Sequence, residues 1–248
     1  MSVDLGDIVL LPSKMAYIRS LDAVVLADLH IGLEYAMAEA GVFIPPIQYK
    51  IMKEKLRSHV KRLKPKRIII VGDLKHVFSQ RTVQEHKEVV DMLKFLKSLN
   101  LEIILVRGNH DNFLIGILKR YGIDFQNTIE LGNYIFLHGH KIFDDEVIEQ
   151  RRKTLIMAHL HPTVMLSDSI SRDKLPIFLV SDKIIVLPAF TPLLPGIDVI
   201  AGSVDSGEFS TPIIKDLIGF EIFVVVEDKK VLYLGSVDQI SRMRELQV

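Results

Sequence analysis

Five short apolar runs in this 248-residue chain each end in a cluster of Asp, Asn or His. They are VVLADLH (Asp28, His30), IIIVGD (Asp73), IILVRGNHD (Asn109, His110, Asp111), YIFLHGH (His138, His140) and TLIMAHLH (His159, His161). Carboxylate, amide oxygen and imidazole nitrogen without any sulfur make a donor set that suits Mn, Fe, Zn or Co better than the all-oxygen cages of Ca and Mg. Asp28, His30, Asp73, Asn109, His138, His159 and His161 are too many for one tetrahedral ion, and about right for two ions sharing a carboxylate and a water. Asp73, with two oxygens to share and Gly72 before it, is the natural bridge. Two divalent ions against two carboxylates leave a surplus of about two positive charges, so the ligand drawn in is an anion. Such a pair of ions, ~3.5 to 4 Å apart, turns a bridging water into hydroxide and steadies the entering and leaving oxygens of an in-line displacement, the chemistry of phosphoester hydrolysis.

The elements that must position these side chains follow from periodicity. Apolar β-branched runs of four or five residues predict buried strands, and in open α/β sheets ligands gather beyond the strand carboxyl ends, so the five clusters should converge on one site. D-x-H at 28 and 30, and H-x-H at 159 and 161, are each expected to project two ligands from one side of an extended strand end, because side chains alternate with period two. Strands are predicted at Ile8 to Leu11, Ala16 to Arg19, Val24 to Ala27, Ile68 to Val71 and Ile103 to Val106. Helices are predicted at Gln48 to Leu63, Val83 to Leu99 (Val89, Val90, Leu93 and Leu96 on one face) and Phe113 to Tyr121. From about residue 129 strands predominate: Tyr134 to Leu137, Leu155 to Ala158, Phe178 to Val180, Ile184 to Leu187 and a C-terminal hairpin turning at 227–230. The order fits two sheets flanked by helices in a single α/β domain, 1–248, with a loop-rich insertion near 163–215, where prolines and glycines concentrate.

Composition narrows the setting. Lys plus Arg and Asp plus Glu are 31 each, so no global field draws the chain to nucleic acid or membrane. The absence of cysteine excludes disulfides and thiolate ligands and suits a reducing compartment. The opening residues lack a leader pattern, and no apolar run approaches the ~18 residues that span a bilayer, so a cytoplasmic location without membrane partners is expected. One local patch stands out. Residues 48–67 carry nine Lys or Arg and one acid, Glu54, with Lys50, Lys53, Arg57, Lys61 and Lys64 at helical spacing. It reads more simply as a solvated helix face than as a phosphate-contacting stripe.

The series D28-x-H30, G72-D73, G108-N109-H110-D111, H138 and H159-x-H161 resembles the calcineurin-like metallophosphoesterases in order and spacing over about residues 24–162. The resemblance implies a four-layer α/β/β/α sandwich with a two-metal centre, Mn foremost and Fe, Zn, Co or Ni as alternatives. It implies that Asp28, His30, Asp73 and His161 hold one ion, and Asp73, Asn109, His138 and His159 the other. His110 would sit beside the scissile phosphate as a catalytic residue, with Asp111 orienting it. Dimers are common in the family, so the resemblance admits a homodimer, with no interface readable in the sequence itself. A narrower resemblance, through ADLHIGLE, GDLKH, LHGH, AHLHP and LPAF, is to archaeal phosphoesterases related to the double-strand-break repair nuclease and to bacterial ligase-associated DNA-damage-response phosphoesterases. That implies a DNA nuclease in repair. Three features depart from the pattern: Ala158 replaces the usual Gly before H-x-H, His76 completes GDLKH, and the LPAF segment continues as Thr191 to Gly196 without a glycine-rich turn.

Blander roles compete at several positions. His59 and His86 read as surface or hydrogen-bonded residues. His76 and His140 are candidates for substrate binding, with His140 equally able to orient a ligand or cap a turn. Asp111 could cap the helix that follows it, and Gly72 and Gly108 read as turn residues. Three functions remain: a phosphodiesterase, with DNA as its substrate; a phosphatase or diesterase acting on a small nucleotide or metabolite; and a metal-binding interaction module without catalysis. The intact ligand set disfavours the last.

Overall fold

The computed structural model describes residues 1–77, 82–142, 152–167, 172–194, 196–201, 209–226 and 228–245. A first sheet runs in chain order through β1 (Val3–Asp4), β2 (Ile8–Leu10), β3 (Ala16–Ile18), β4 (Ala23–Leu26), β5 (Arg67–Val71), β6 (Glu102–Val106) and β7 (Asp124–Gln126). Strands β1 to β4 pair antiparallel and β4 to β7 parallel, the parallel crossovers carrying helices α1 (Leu33–Glu39), α2 (Gln48–Leu63), α3 (Val83–Ser98) and α4 (Ile115–Arg120). The second sheet comprises β8 (Thr128–Leu131), β9 (Tyr134–Leu137), β10 (Thr154–Met157), β11 (Pro162–Ser167), β12 (Arg172–Val180), β13 (Ile184–Val186), β14 (Ile197–Asp198), β15 (Glu221–Val226) and β16 (Lys230–Ser236). Within it β9, β10 and β13 are mutually parallel neighbours, and β15 and β16 form the expected hairpin. Helix α5 (Val237–Glu245) closes the described chain.

Alternation along the parallel strands sorts the core into layers. Val24, Leu26, Ile68, Ile70, Ile103 and Leu105 face the helices, where α2 packs Met52, Leu56 and Val60 and α3 packs Val89, Met92, Leu93 and Leu96. Their neighbours Val25, Ala27, Ile69, Val71, Ile104 and Val106 face the second sheet and meet Phe136, Ile156, Ala158, Phe178 and Phe223. Ile135, Leu137, Met157, Ile177, Leu179 and Val224 point outward, under Ile214, Leu217, Phe220 and Val237. Strands buried on both faces explain why their sequences are almost continuously apolar. The architecture is thus two sheets face to face, with helices outside, as expected.

Several elements differ from expectation for identifiable reasons. The helix expected from Phe113 starts only at Ile115, since Phe113 has φ 67°, in the left-handed region, and is half exposed. Much of 163–215 is sheet: β11 and β12 pair antiparallel over five residues from Thr163↔Pro176 to Ser167↔Arg172. Among the prolines that suggested a loop, Pro176 is tolerated as the last residue of β12 paired with β11 before the strand passes between β13 and β15. Residues 168–171, 195 and 202–208 of that segment, and 227 of the hairpin turn, lie outside the described residues. Short edge strands β1, β7 and β14 and helices α1 and α5 are additional to the expected elements. Among the described residues no helix is long and apolar enough to cross a membrane.

Candidate metal centre

Sheet register brings the five motifs together. Leu26 pairs with Ile70 and Ile70 with Leu105, so β4, β5 and β6 end side by side. The Asp28 N–H donates to the Gly72 carbonyl at 3.1 Å, and in the second sheet the Ala158 N–H donates to the His138 carbonyl at 3.1 Å. Beyond the strand ends the chain leaves the extended region: φ is 54° at Asp28, 46° at His30, 47° at Asp73, 69° at His159 and 43° at His161. Two-residue alternation on an extended strand is therefore not what aims D-x-H and H-x-H, and left-handed turns are. Each such residue costs roughly 1–3 kcal/mol and persists only where its surroundings over-determine it. Ala158, in place of the family's glycine, has no positive φ and is fully buried, so its methyl group is accommodated.

Two buried donor groups result: Asp28, His30 and His161, and Asp73, His138 and His159, each with one ligand atom per residue lying within 4.8 Å of the others. Asp73 joins them. Its Oδ2 is 3.6 Å from His30 Nε2 and 3.5 Å from His138 Nε2. Asp28 Oδ1 is 3.0 Å from His138 Nε2 and Asp28 Oδ2 is 3.3 Å from His161 Nε2. Donors ~2.1 Å from a common ion stand roughly 3.0–3.5 Å apart for angles between square and tetrahedral, so these spacings fit metal ligation. Asn109 Oδ1 and His161 Nδ1 are buried with no hydrogen-bond partner, a costly state for polar atoms that a cation bound to the asparagine oxygen would relieve. His159 Nε2 lies 3.1 Å from the Ser210 carbonyl. Without a cation, protons balance the charge. Burial pulls the His138 imidazole down, and the carboxylates of Asp73 and Asp28 outweigh it and hold it up at about 9. Burial, reinforced by the Asp111 and Asp28 charges, pushes Asp73 up to about 7. Burial lowers His159 to about 3.

His110 stands at the rim, partly exposed. Its N–H donates to Asp73 Oδ1 at 2.9 Å, its Nε2 is 4.0 Å from Asp73 Oδ2, and its Nδ1 meets the His76 carbonyl. Asp111, expected to orient that imidazole or cap a helix, is engaged elsewhere. Its carboxylate accepts from the backbone N–H groups of Leu74 at 2.8 Å and Gly108 at 2.9 Å, tying the two loops that carry Asp73 and Asn109. The two further histidines each back a candidate ligand, His76 Nδ1 lying 3.2 Å from His30 Nδ1 and His140 Nδ1 lying 3.0 Å from His138 Nδ1. Burial lowers both to about 4, which keeps them neutral. His76 also lines the cavity over the centre, about 120 Å³ in volume, with His30, Asn109, His110 and Phe209.

Other residues matter that the motifs did not flag. Lys75 and Glu85, both about 3% exposed, form a buried ion pair at 3.5 Å, and Glu85 accepts the Val77 N–H at 2.8 Å, pinning the loop that bears His76. Thr82-x-x-Glu85 does mark the start of α3, where Thr82 caps the Glu85 N–H, but nothing in that pattern says the carboxylate turns inward. Gly72 and Gly108 are more than turn residues. A Cβ on Gly72 would sit 2.2 Å from the His138 ring, and one on Gly108 would sit 2.0 Å from Asp73 Oδ1. The segment after Leu187 runs along the first motif, Phe190 and Thr191 N–H donating to the Ala27 and Asp28 carbonyls. His59 Nδ1 lies 2.9 Å from the Lys55 carbonyl, as a merely hydrogen-bonded histidine should, and His86 is exposed. In the basic stripe, Lys53, Lys55, Arg57, Lys66 and Arg67 each face an acid, which supports the solvated-face reading.

Comparison with known proteins follows the same lines. The family model described as calcineurin-like phosphoesterase matches residues 22–193. Among solved structures, the nuclease MPE of Pseudomonas putida is similar at 21% identity and a TM-score of 0.67, covering 94% of this chain and 99% of its own. Yfce, a phosphoesterase from E. coli, is similar at 14% identity and a TM-score of 0.40, over 86% of this chain and 98% of its own. No curated protein matches the chain.

Proposed function

This chain belongs to the calcineurin-like phosphoesterases, hydrolases of phosphoester bonds that use divalent metal ions, and from that premise we propose that it is a two-metal phosphodiesterase acting on DNA. One observation carries the reading: two buried donor groups meet at a single carboxylate oxygen of Asp73, beneath an opening edged by His110. Asp28, His30 and His161 would hold one ion, His138, His159 and Asn109 the other, and Asp73 both. Bound there, the ions would supply Lewis-acid charge for the phosphoryl oxygens and lower the pKa of an attacking water.

The chain's own side chains do the rest. With Nδ1–H of His110 donated to the His76 carbonyl, Nε2 is the nitrogen that faces the cavity, where it can hold the proton destined for the leaving oxygen. The bond from the His110 N–H to Asp73 Oδ1 fixes that imidazole relative to the shared ligand. Asp111 keeps both loops in register through their backbones. The nuclease reading is supported by the motif resemblance and by the name of the P. putida structure, a nuclease. A second reading, a phosphatase or diesterase acting on a small nucleotide or metabolite, is favoured by the acid partners of Lys53, Lys55 and Arg57 on α2.

Mn-stimulated hydrolysis of single- and double-stranded DNA by the purified protein tests the proposal, with Asn109→Ala as the control for contaminating nuclease. Cleavage by the unsubstituted protein alone supports the nuclease. Turnover of generic diesters or monoesters without DNA cleavage transfers the assignment to the small phosphoester.

A further inference from the structure

A second cavity, about 290 Å³, adjoins the metal centre and shares His161 and Leu194 with its lining. Lys14, in the turn between β2 and β3, lines it together with Lys174 on β12. The segment after Leu187, bonded along Ala27 and Asp28, contributes Thr191, and β11 contributes Thr163. No carboxylate lines this cavity among the described residues, and neither lysine belongs to an ion pair there. Lys14 Nζ donates to the Thr191 carbonyl at 3.0 Å, and Lys174 Nζ donates to the Gly196 carbonyl. An ammonium has three donors, so each lysine keeps two in reserve.

A buried ammonium, Lys14, and a second one at the exposed mouth, Lys174, with no carboxylate in the lining between them, make a good anion site. Burial, aided by the Lys55 charge and opposed by that of Asp228, lowers the Lys14 pKa to about 8. Because the cavity opens beside His161, an anion in it would belong to the same molecule as the phosphate over the metal ligands.

We propose that this cleft seats the phosphate neighbouring the scissile linkage on a polynucleotide, held by Lys14 and Lys174. The proposal rests on the phosphodiesterase reading above and deepens it: the enzyme would recognise two successive phosphates, one for chemistry and one for grip.

Calorimetric titration of the Mn-loaded protein with thymidine 3′,5′-bisphosphate and with thymidine 5′-monophosphate tests it. The bisphosphate should bind about tenfold more tightly, as expected for one additional charge-assisted contact. Lys14→Met should abolish that advantage while leaving both the monophosphate affinity and bis(4-nitrophenyl) phosphate hydrolysis unchanged. Equal binding of the two ligands to the unsubstituted protein would overturn the proposal, as would a Lys14→Met variant that weakens both alike. Should that variant fail to fold, exposed Lys174→Met carries the test, and a loss of about threefold or more confined to the bisphosphate is the supporting result. An unchanged bisphosphate affinity in Lys174→Met is then the contrary one. Failure of the underlying phosphodiesterase reading shows separately, as absence of bis(4-nitrophenyl) phosphate hydrolysis by the unsubstituted, metal-loaded protein.

Discussion

The two sheets contribute to the centre in unlike ways. The first supplies Asp28, Asp73 and Asn109 with one imidazole, His30, whereas the second supplies only imidazoles, His138, His159 and His161. Carboxylates therefore lie on one side of the sheet interface, and the other side offers imidazole alone. The carboxylates are held by main-chain N–H groups, Asp73 by that of His110 and Asp28 by that of His159. His30 and His138 are held by other imidazoles, His76 and His140. The contrast teaches that the two carboxylates are fixed by the loop backbone, and His30 and His138 by side chains that could be exchanged singly.

Substitutions can break that contrast. Asp73→Ala removes the ligand common to both donor groups and should abolish metal binding and turnover together, as read by metal analysis of the purified variant. Gly108→Ala drives a methyl group into Asp73 and should cost about 3 kcal/mol in denaturant unfolding while displacing the oxygen donors. A stable Gly108→Ala protein with full metal content would show that the loop backbone yields more easily than argued. His110→Ala should keep its metal and lose roughly 10²–10⁴ in turnover, and an active, metal-loaded variant would remove His110 from the chemistry. His76→Ala and His140→Ala should each weaken metal affinity by about 10–100-fold without abolishing it, as expected of groups that orient a ligand. Equal losses from Asp73→Ala and His76→Ala would erase the distinction between backbone-held carboxylates and side-chain-held imidazoles.

The smallest step, about tenfold per unit, is set by pH. His138, raised to about 9 from a reference of 6.5, binds a proton more tightly in the folded protein than in the unfolded chain. Its contribution to the stability of the metal-free protein is complete below 6.5 and is lost as the pH rises toward 9. A cation that displaces this proton should gain about tenfold in apparent affinity per pH unit across that interval. Titration of chelator-stripped protein with Mn at several pH values measures the slope, and a flat profile would place the displaced proton elsewhere.

Much of this was legible because buried parallel strands leave a strong signature. Ile68 to Val71 and Ile103 to Val106 are apolar on both faces, and α2 spans Gln48–Leu63 as its apolar spacing and Pro65 require. The donors were legible because ligand types recur at strand ends. Their backbone was not, since nothing local distinguishes Asp28 or His161 in a left-handed turn from the same residue on an extended strand. Nor could spacing reveal that Glu85 turns inward to Lys75 or that Asp111 serves two loops, because both contacts join segments distant in sequence. Proline misled at 176, where its missing N–H falls at a tolerated strand position.

The division of donors between the sheets also bears on how the protein meets its metal while it is being made. Synthesis is vectorial, and domains and their parts emerge N-terminal first. Every strand of the first sheet lies before residue 127, so Asp28, His30, Asp73 and Asn109 leave the ribosome ahead of His138, His159 and His161. That early half is oxygen-rich and suits abundant hard ions such as Mg, whereas the imidazoles that favour a transition metal arrive last. The complete donor set therefore exists only once the second sheet has docked on the first.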